Sequence, residues 1–150
     1  MNRQYPQQPL IGVGVVVCRG NKVLLIRRGG PPRQGEWSLP GGLQKLGETV
    51  FEAARREVRE ETGVEIRVLA LADVVDLIER DEAADRVRYH YTLVDVVAGW
   101  LEGEAAPGSD AAEVAWADLE TLPRYRLWSE TERVIRLAHR SFRESSAGTE

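Results

Sequence analysis

The N-terminal third of the chain carries an apolar pattern that predicts a β-hairpin. Residues 10–18 form a near-continuous run of β-branched and other apolar side chains, which is typical of a strand buried on both faces. Residues 20–21, Gly-Asn, predict the turn, and residues 23–26 predict the returning strand. The polar residues 1–9 predict a loosely held, disordered arm. Residues 27–36 are rich in Gly, Pro and charge, and they predict a loop.

An amphipathic helix is predicted between Thr49 and Gly63. Thr49 and Glu52 form the T-x-x-E pattern of a capping box, which satisfies orphan backbone N–H groups at a helix start. Gly63 falls where a left-handed residue commonly ends a helix. Helical spacing gives this segment one apolar face to bury: Phe51, Ala54 and Val58.

The chain after this helix is dominated by strand patterns. Residues 65–78 predict one long or two short strands, and the charged residues 79–85 predict an exposed loop. Period-two alternation predicts a strand over residues 87–97. Residues 98–112 contain three glycines and a proline and predict a long flexible connection, which residues 113–116 follow as a short strand.

The C-terminal part of the chain predicts a second helix. Residues 117–121 predict a helical turn, and Ser129 with Glu132 forms another capping box, opening a helix that extends to about Arg140. Residues 142–150 predict a disordered tail. Strands outnumber helices, and the two helices are far apart in the chain. The predicted class is therefore α/β (α+β), with a mixed sheet covered on both faces.

Composition limits the classes of protein and partner. A chain of 150 residues with 43% hydrophobic content suits one domain over residues 1–150. A net charge of −4 argues against a nucleic-acid polymer as partner, while a small phosphorylated substrate is compatible with it. The single cysteine, Cys18, excludes an internal disulfide and is expected to be buried. No apolar run suggests a signal or a membrane span, so a cytoplasmic location without a membrane partner is expected.

Three carboxylates share one surface of the first predicted helix. Glu57 lies three residues from Glu60 and four from Glu61, and side chains at these spacings are neighbours. Their charges repel one another unless a cation compensates, and oxygen ligands suit Mg²⁺ first and Mn²⁺ second. The alternative is a solvated helix face on which Arg56 pairs with Glu52 and Glu60 at i,i+4 spacing.

Residues 42–64 read GLQKLGETVFEAARREVREETGV, and this stretch resembles the signature of the Nudix hydrolases, which cleave nucleoside diphosphates linked to another group. Every fixed position of the signature is filled. The resemblance implies an α/β/α sandwich with a mixed sheet, in which the signature forms a loop-helix-loop. The flanking glycines and the full spacing favour a metal site over a salt-bridged surface.

The resemblance also implies a set of metal ligands. Gly41 or Gly42 would add a backbone carbonyl, because the absence of a side chain lets the backbone approach the ions closely. A further acidic ligand is expected from a later loop, with Asp110 favoured over Glu113. The carboxylates expected to bind the cations are those of the signature: Glu57, Glu60 and Glu61.

Catalytic roles follow from the same resemblance. Glu57 is the leading candidate for general base, although the family uses no single fixed base. Arg56 would pair with a neighbouring glutamate, Glu48 first, and hold the cluster in register. Glu48 itself is interpreted as a brace between loop and helix. The catalytic residues expected are Glu57, Glu60 and Arg56.

Each candidate substrate-binding residue has a structural alternative. Trp37 would stack on a base or act as a hydrophobic plug, and Tyr89 and Tyr91 would line a substrate cleft or pack into the core. Three arginines would contact phosphates unless they are ordinary surface residues: Arg27, Arg28 and Arg33.

The resemblance implies metal-dependent hydrolysis of a diphosphate linkage in a nucleoside diphosphate derivative, with ADP-ribose as the first substrate to test. One alternative is a nucleoside triphosphate pyrophosphohydrolase that sanitises the nucleotide pool. A non-catalytic nucleotide-sensing domain of the same fold is less favoured, because such domains usually have a degraded signature. The expected partner is a small nucleotide, and the assembly is a monomer or a homodimer.

Overall fold

The computed structural model describes residues 3–31 and 33–148. Its elements in chain order are β1 (Leu10–Arg19), β2 (Lys22–Arg28), β3 (Trp37–Ser38), β4 (Gly41–Leu43), α1 (Val50–Thr62), β5 (Glu65–Asp81), β6 (Arg86–Glu102), β7 (Ala111–Asp118), a 3₁₀ helix (Leu119–Tyr125) and α2 (Ser129–Gly148).

The seven strands form one mixed sheet. Its order is β3-β2-β1-β6-β5, with β4 also paired to β1 and β7 paired to β2. β1 runs parallel to β6, whereas its pairings with β2 and β4 are antiparallel. The predicted hairpin of β1 and β2 is present, and the prediction of a mixed sheet is confirmed.

Strand β1 is buried on both faces, as its apolar run predicts. Val13, Val15 and Val17 pack in a cluster with residues of α1, whereas Val16 and Cys18 pack in a cluster with residues of α2. Burying one such side chain stabilises a fold by about 1.5–3 kcal/mol. The two helices therefore cover opposite faces of the sheet, and the predicted α/β/α layering is confirmed.

Helix α1 begins and ends at the predicted residues. The Thr49 side chain accepts from the backbone N–H of Glu52, and the Glu52 side chain accepts from that of Thr49. Gly63 has a φ of 76°, so a left-handed residue ends the helix. The prediction that Phe51 is buried is wrong, because Phe51 is 44% exposed and the inward stripe instead contains Ala53.

Several strands are longer than their sequence patterns predict. β2 includes Arg27 and Arg28, which were predicted in a loop. β5 continues to Asp81, so the predicted loop at 79–85 shrinks to a turn at residues 82–85. β6 continues to Glu102, and the connection to β7 covers residues 103–110 instead of 98–112. Cross-strand hydrogen bonding extends the strands because pairing with a long neighbour stabilises even polar segments.

The C-terminal elements also differ from the predictions. The helical turn before α2 runs through Pro123 to Tyr125. Ser129 lies in the first turn of α2, where the backbone N–H of Glu132 donates to the carbonyl of Trp128. Residues 142–148, predicted as part of a disordered tail, continue α2, while residues 149–150 lie outside the described residues. None of the described helices has the length and apolar content that crossing a membrane requires.

The described part of the N-terminal arm contacts the β5–β6 hairpin. The backbone N–H of Tyr5 donates to the carbonyl of Arg88 at 2.8 Å, and its hydroxyl donates to Asp81. The guanidinium of Arg86 lies 4.0 Å from the centre of the Tyr5 ring. Together with a hydrogen bond from Gln4 Nε2 to the Tyr89 hydroxyl at 3.1 Å, these contacts hold the arm against the sheet, whereas the sequence predicts a loosely held segment. Residues 1–2 lie outside the described residues.

Candidate functional site

The short strand β4 connects a cavity on the sheet to helix α1. β4 pairs with β1, placing Gly41 opposite Gly14 and Gly42 opposite Val13. Both glycines of β4 line the cavity. β4 therefore forms one wall of the cavity. The loop that follows β4 leads directly into α1, so the glutamates of the helix lie beyond this wall.

Glu61 is the buried carboxylate of the site. It is 6% exposed, and its Oε1 accepts a hydrogen bond from the backbone N–H of Gly41 at 2.7 Å. The pKa of Glu61 is raised to about 8, chiefly by burial and to a smaller extent by the charges of Glu57 and Asp110, against the lowering effects of the Gly41 hydrogen bond and Arg28. A buried carboxylate with acidic neighbours is suited to binding a cation.

Glu57 packs directly against the backbone of Gly42. A Cβ on Gly42 would lie 2.6 Å from the Cδ and Oε1 of Glu57. Gly41 is confined as well, since a Cβ there would lie 2.1 Å from the carbonyl oxygen of Val13. Gly42 therefore allows the backbone of β4 to approach the Glu57 carboxylate closely, and Gly41 allows it to approach β1.

Arg56 joins the glutamates of the signature into one network. Its Nη2 donates to Glu48 Oε1 at 2.6 Å and its Nε to Glu48 Oε2 at 2.9 Å, a bidentate pair that matches the expected partner. Its Nη1 donates to Glu57 at 2.7 Å and, at 3.3 Å, to Glu60. Hydrogen bonds from Arg56 and from the backbone of Lys45 lower the pKa of Glu48 to about 2. Glu48 thus braces the loop against the helix.

The three signature carboxylates differ in their surroundings. Glu61 is buried, Glu57 is partly buried against Gly42, and Glu60 has a 45% exposed side chain. Within residues 3–31 and 33–148, no three Asp, Glu, His or Cys side chains are already gathered as a metal-binding group. The donor set is all oxygen, and this chemistry fits a hard divalent cation.

The loop before β7 is fixed to the C-terminal end of α1. The backbone N–H groups of Ala106, Gly108 and Ser109 donate to the carbonyls of Thr62, Glu61 and Glu60, at 2.9, 2.8 and 3.0 Å respectively. These bonds satisfy carbonyls that a helix leaves without partners at its end. The sequence predicts a flexible connection here instead. Hydrogen bonds between backbone groups do not depend on the type of side chain, so the sequence pattern does not reveal them.

The two acidic candidates of this loop have different environments. Asp110 has a φ of 58°, and its backbone carbonyl accepts from the N–H of Gly29 at 2.8 Å. The pKa of Glu61 is raised chiefly by burial, and the charge of Asp110 makes a small contribution to the rise. Glu113 lies on β7 and forms an ion pair with Arg27 at 2.9 Å. Asp110 is therefore the acidic residue of this loop whose charge acts on the signature carboxylates, while Glu113 is engaged at an exposed position.

The cavity lies on the face of the sheet that α2 covers, with a volume of about 220 Å³. Arg28 and Arg33 line it, as do Trp37 and Tyr89, whereas Arg27 does not. The signature glutamates do not line it either, since β4 stands between them and the cavity. Trp37 also packs edge-on against Tyr125, with ring centres 5.2 Å apart.

One cavity residue lies outside the set of candidates chosen from the sequence. Asp95 on β6 is buried and lines the cavity beside Gly14. A signal exists in the sequence, because a lone aspartate interrupts the apolar run LVDVVA at a position whose neighbours two residues away, Leu93 and Val97, point to the core.

Comparisons with known proteins agree with this geometry. A family model described as "NUDIX domain" matches residues 8–138. The chain is 37% identical over 116 residues to a Methanocaldococcus jannaschii protein named ADP-ribose pyrophosphatase, covering 77% of this chain and 66% of that protein. It is 29% identical over 111 residues to the Homo sapiens 8-oxo-dGDP phosphatase NUDT18, covering 74% of this chain and 32% of that protein. The chain thus spans about two thirds of one relative and about a third of the other.

A solved structure has the same fold. The MutT NUDIX hydrolase from Burkholderia pseudomallei matches with a TM-score of 0.72 and 31% identity, over 87% of this chain and 98% of that one.

Gly108→Ala tests the docking of the late loop, residues 103–110 before β7, on α1. A Cβ on Gly108 would lie 2.1 Å from the backbone carbonyl oxygen of Glu60, which no side-chain movement can relieve. We expect the free energy of unfolding to fall by about 1–3 kcal/mol, the usual cost of overpacking. Gly30→Ala is the control, because a Cβ there meets nothing within 4 Å. Equal stability of the two variants in denaturant unfolding would refute the docking.

Proposed function

Since the chain belongs to the Nudix hydrolase family, as the match over residues 8–138 shows, we propose that it hydrolyses the diphosphate linkage of a nucleoside diphosphate derivative in a metal-dependent reaction. ADP-ribose is the first substrate to test. A relative bears the name ADP-ribose pyrophosphatase, and its length exceeds that of this chain.

One observation carries this proposal. The backbone of β4 touches the cavity on one side and two signature carboxylates on the other, through the Gly41 N–H bonded to Glu61 and the close approach of Gly42 to Glu57. A nucleotide whose base occupies the cavity can extend its diphosphate past this wall to the glutamates. Binding and bond cleavage would then take place on opposite sides of one short strand.

The residues proposed to hold divalent cations are oxygen donors. Glu57, Glu60 and Glu61 would bind Mg²⁺, or Mn²⁺ in its place, with a backbone carbonyl of Gly41 and the Asp110 carboxylate as further donors. Support comes from the Glu61 carboxyl, whose pKa is raised chiefly by burial and further by the charges of Glu57 and Asp110, so a cation beside it would stabilise its ionised form. A bound cation polarises phosphate oxygens and lowers the pKa of a bound water.

The protein groups have separate tasks in this scheme. Glu57 is the proposed general base, because it lies at the wall beside Gly42. Arg56 is a positioning residue that orients Glu57 through a 2.7 Å hydrogen bond and is itself fixed by Glu48. Arg28 is the proposed ligand of a phosphate oxygen near the reacting bond, which is supported by its position in the cavity lining and the effect of its charge on Glu61.

The aromatic residues of the cavity suit a nucleobase or ribose. Tyr89 and Tyr91 stand 6.4 Å apart with nearly parallel rings, and Trp37 closes another side of the cavity. Flat apolar rings of this kind favour stacking on a planar base. These residues supply affinity for the part of the substrate that does not react.

A second candidate is hydrolysis of nucleoside di- or triphosphates in the manner of a nucleotide-pool sanitising enzyme. It is supported by the similarity to NUDT18, which is named as an 8-oxo-dGDP phosphatase. Both candidates use the same carboxylates and differ in the leaving group.

A substrate panel with and without divalent cations separates these functions. With Mg²⁺ or Mn²⁺, we expect ADP-ribose to yield AMP and ribose 5-phosphate, because water attacks within the diphosphate linkage. Excess chelator should abolish turnover, and added Mg²⁺ should restore it. Faster release of inorganic phosphate or pyrophosphate from nucleoside di- or triphosphates would favour the second candidate, and full turnover in chelator would exclude the proposed metal dependence.

Gly42→Ala tests the contact between the wall and Glu57. The added methyl group would displace the Glu57 carboxylate, which lies at the end of a flexible side chain, so the fold should tolerate the change. We expect kcat to fall at least about 100-fold, equivalent to about 2.7 kcal/mol of barrier, with a nearly unchanged melting temperature. Gly30→Ala, with no neighbour within 4 Å, should leave kcat unchanged. Equal kcat for both variants would disprove the role of the contact.

A further inference from the structure

Asp95 is a buried carboxyl group that the proposed hydrolysis does not use. It is 5% exposed and lines the cavity. Among the described residues, Asp95 forms no ion pair, since Arg133 binds Asp73 and Glu130 instead. Its neighbours two positions away on β6, Leu93 and Val97, belong to the apolar cluster beneath α2. An apolar side chain would suit this position of the strand, and the carboxyl is the exception.

The surrounding strands make room for this carboxyl without neutralising it. Gly14 is its register partner on β1, and a Cβ there would lie 2.2 Å from Asp95 Oδ1. On the other side its partner is Asp73 of β5, whose carboxylate binds Arg133 of α2 at 2.8 Å. Arg133 also binds Glu130, so its hydrogen bonds go to other carboxylates.

The Asp95 carboxyl, which has no ion-pair partner among the described residues, lowers the stability of the folded state when it is ionised. The pKa of Asp95 is raised to about 6, chiefly by burial and in part by the charge of Asp73, while Arg133 opposes the rise. An acid whose pKa is higher in the folded than in the unfolded protein lowers folding stability as pH rises from its unfolded value to its folded value, and the loss is complete above about pH 6. At pH 8 Asp95 is ionised, and a ligand that donates hydrogen bonds to it would offset the cost.

We propose that Asp95 is a specificity-determining residue that accepts a hydrogen bond from an N–H group on the nucleobase of the substrate. The inference rests on the proposed function for the identity of the ligand as a nucleotide. A phosphate would be repelled by the carboxylate, whereas the exocyclic or ring N–H groups of a purine are donors. The neighbouring Trp37, Tyr91 and Leu93 provide the apolar surroundings that a planar base requires.

Such a residue discriminates strongly, because a base without the matching donor would displace water from the carboxylate and leave it without a hydrogen bond. A buried acceptor lowers the affinity for a ligand that lacks the matching donor by a large factor. An apolar pocket lowers the affinity for a ligand of altered shape by a much smaller factor. Adenine offers its 6-amino group, and guanine offers N1–H and its 2-amino group. Unsubstituted purine offers no N–H on that edge when it is attached to ribose.

The test compares Asp95→Val with the native protein. Valine suits a β-strand and removes the acceptor. Equilibrium binding of AMP, GMP and purine riboside monophosphate is measured at pH 8 by calorimetry, together with melting temperatures. Asp76→Val is the matched control, because Asp76 lies exposed on the neighbouring strand β5.

We expect the native protein to bind AMP or GMP at least about tenfold more tightly than purine riboside monophosphate, in line with one good base contact. Whichever of AMP and GMP binds more tightly relative to purine riboside monophosphate identifies the base. Asp95→Val should erase this preference, retain the affinity for purine riboside monophosphate within about twofold, and melt at a higher temperature. Asp76→Val should keep the preference.

Three outcomes would overturn the proposal. The native protein could bind all three nucleotides equally or bind none, Asp95→Val could keep the preference, or Asp95→Val could weaken binding of all three alike and melt at a lower temperature. Binding of monophosphates requires no turnover, so the binding result can be interpreted independently of the hydrolysis assay. A lost preference in Asp95→Val, in a protein that hydrolyses no diphosphate, would support the role of Asp95 and reject the proposed reaction.

Discussion

The close approach between the backbone of β4 and two carboxylates of α1 is the constraint on which the arrangement of the site depends. Gly41 donates to Glu61 at 2.7 Å, and Gly42 leaves no space for a Cβ beside Glu57. A side chain on Gly41 would clash with the carbonyl oxygen of Val13 on β1, and one on Gly42 would displace the carboxylate of Glu57. The pairing of β4 with β1 fixes the wall, and the packing of α1 on the same strand fixes the helix, so β1 holds both partners in register.

Charge balance around α1 follows from that geometry. Glu61 loses solvent because it lies behind β4, and its pKa rises for that reason. Arg56 compensates Glu48 and Glu57 through short hydrogen bonds, which leaves Glu61 without an ion pair among the described residues. The late loop brings Asp110 close enough to raise the pKa of Glu61 further. The site therefore gathers carboxyl groups at the place where the proposed cations and diphosphate would meet.

Periodicity and capping predicted the elements of this fold well. The Arg56–Glu48 pair was implied by the resemblance to the family, whereas the burial of β1 on both faces and the limits of α1 follow from short-range patterns. Contacts between distant backbone groups do not, since the docking of Gly108 on Glu61 and the extension of β6 to Glu102 depend on partners far along the chain. Phe51 was misplaced because helical spacing alone admits several neighbouring stripes. Asp95 was missed because a single polar residue in a strand is ambiguous until its neighbours are known.

The central claim is that a nucleotide in the cavity presents its diphosphate to cations held by the glutamates of α1. The direct measurement is the paramagnetic broadening of the ³¹P signals of a methylene-bridged, uncleavable ADP-ribose analogue, bound to the protein, on addition of Mn²⁺. The account predicts strong broadening with the native protein and its loss in the Glu57→Gln/Glu61→Gln variant, which should still bind the analogue. Equal broadening in both proteins would contradict the claim.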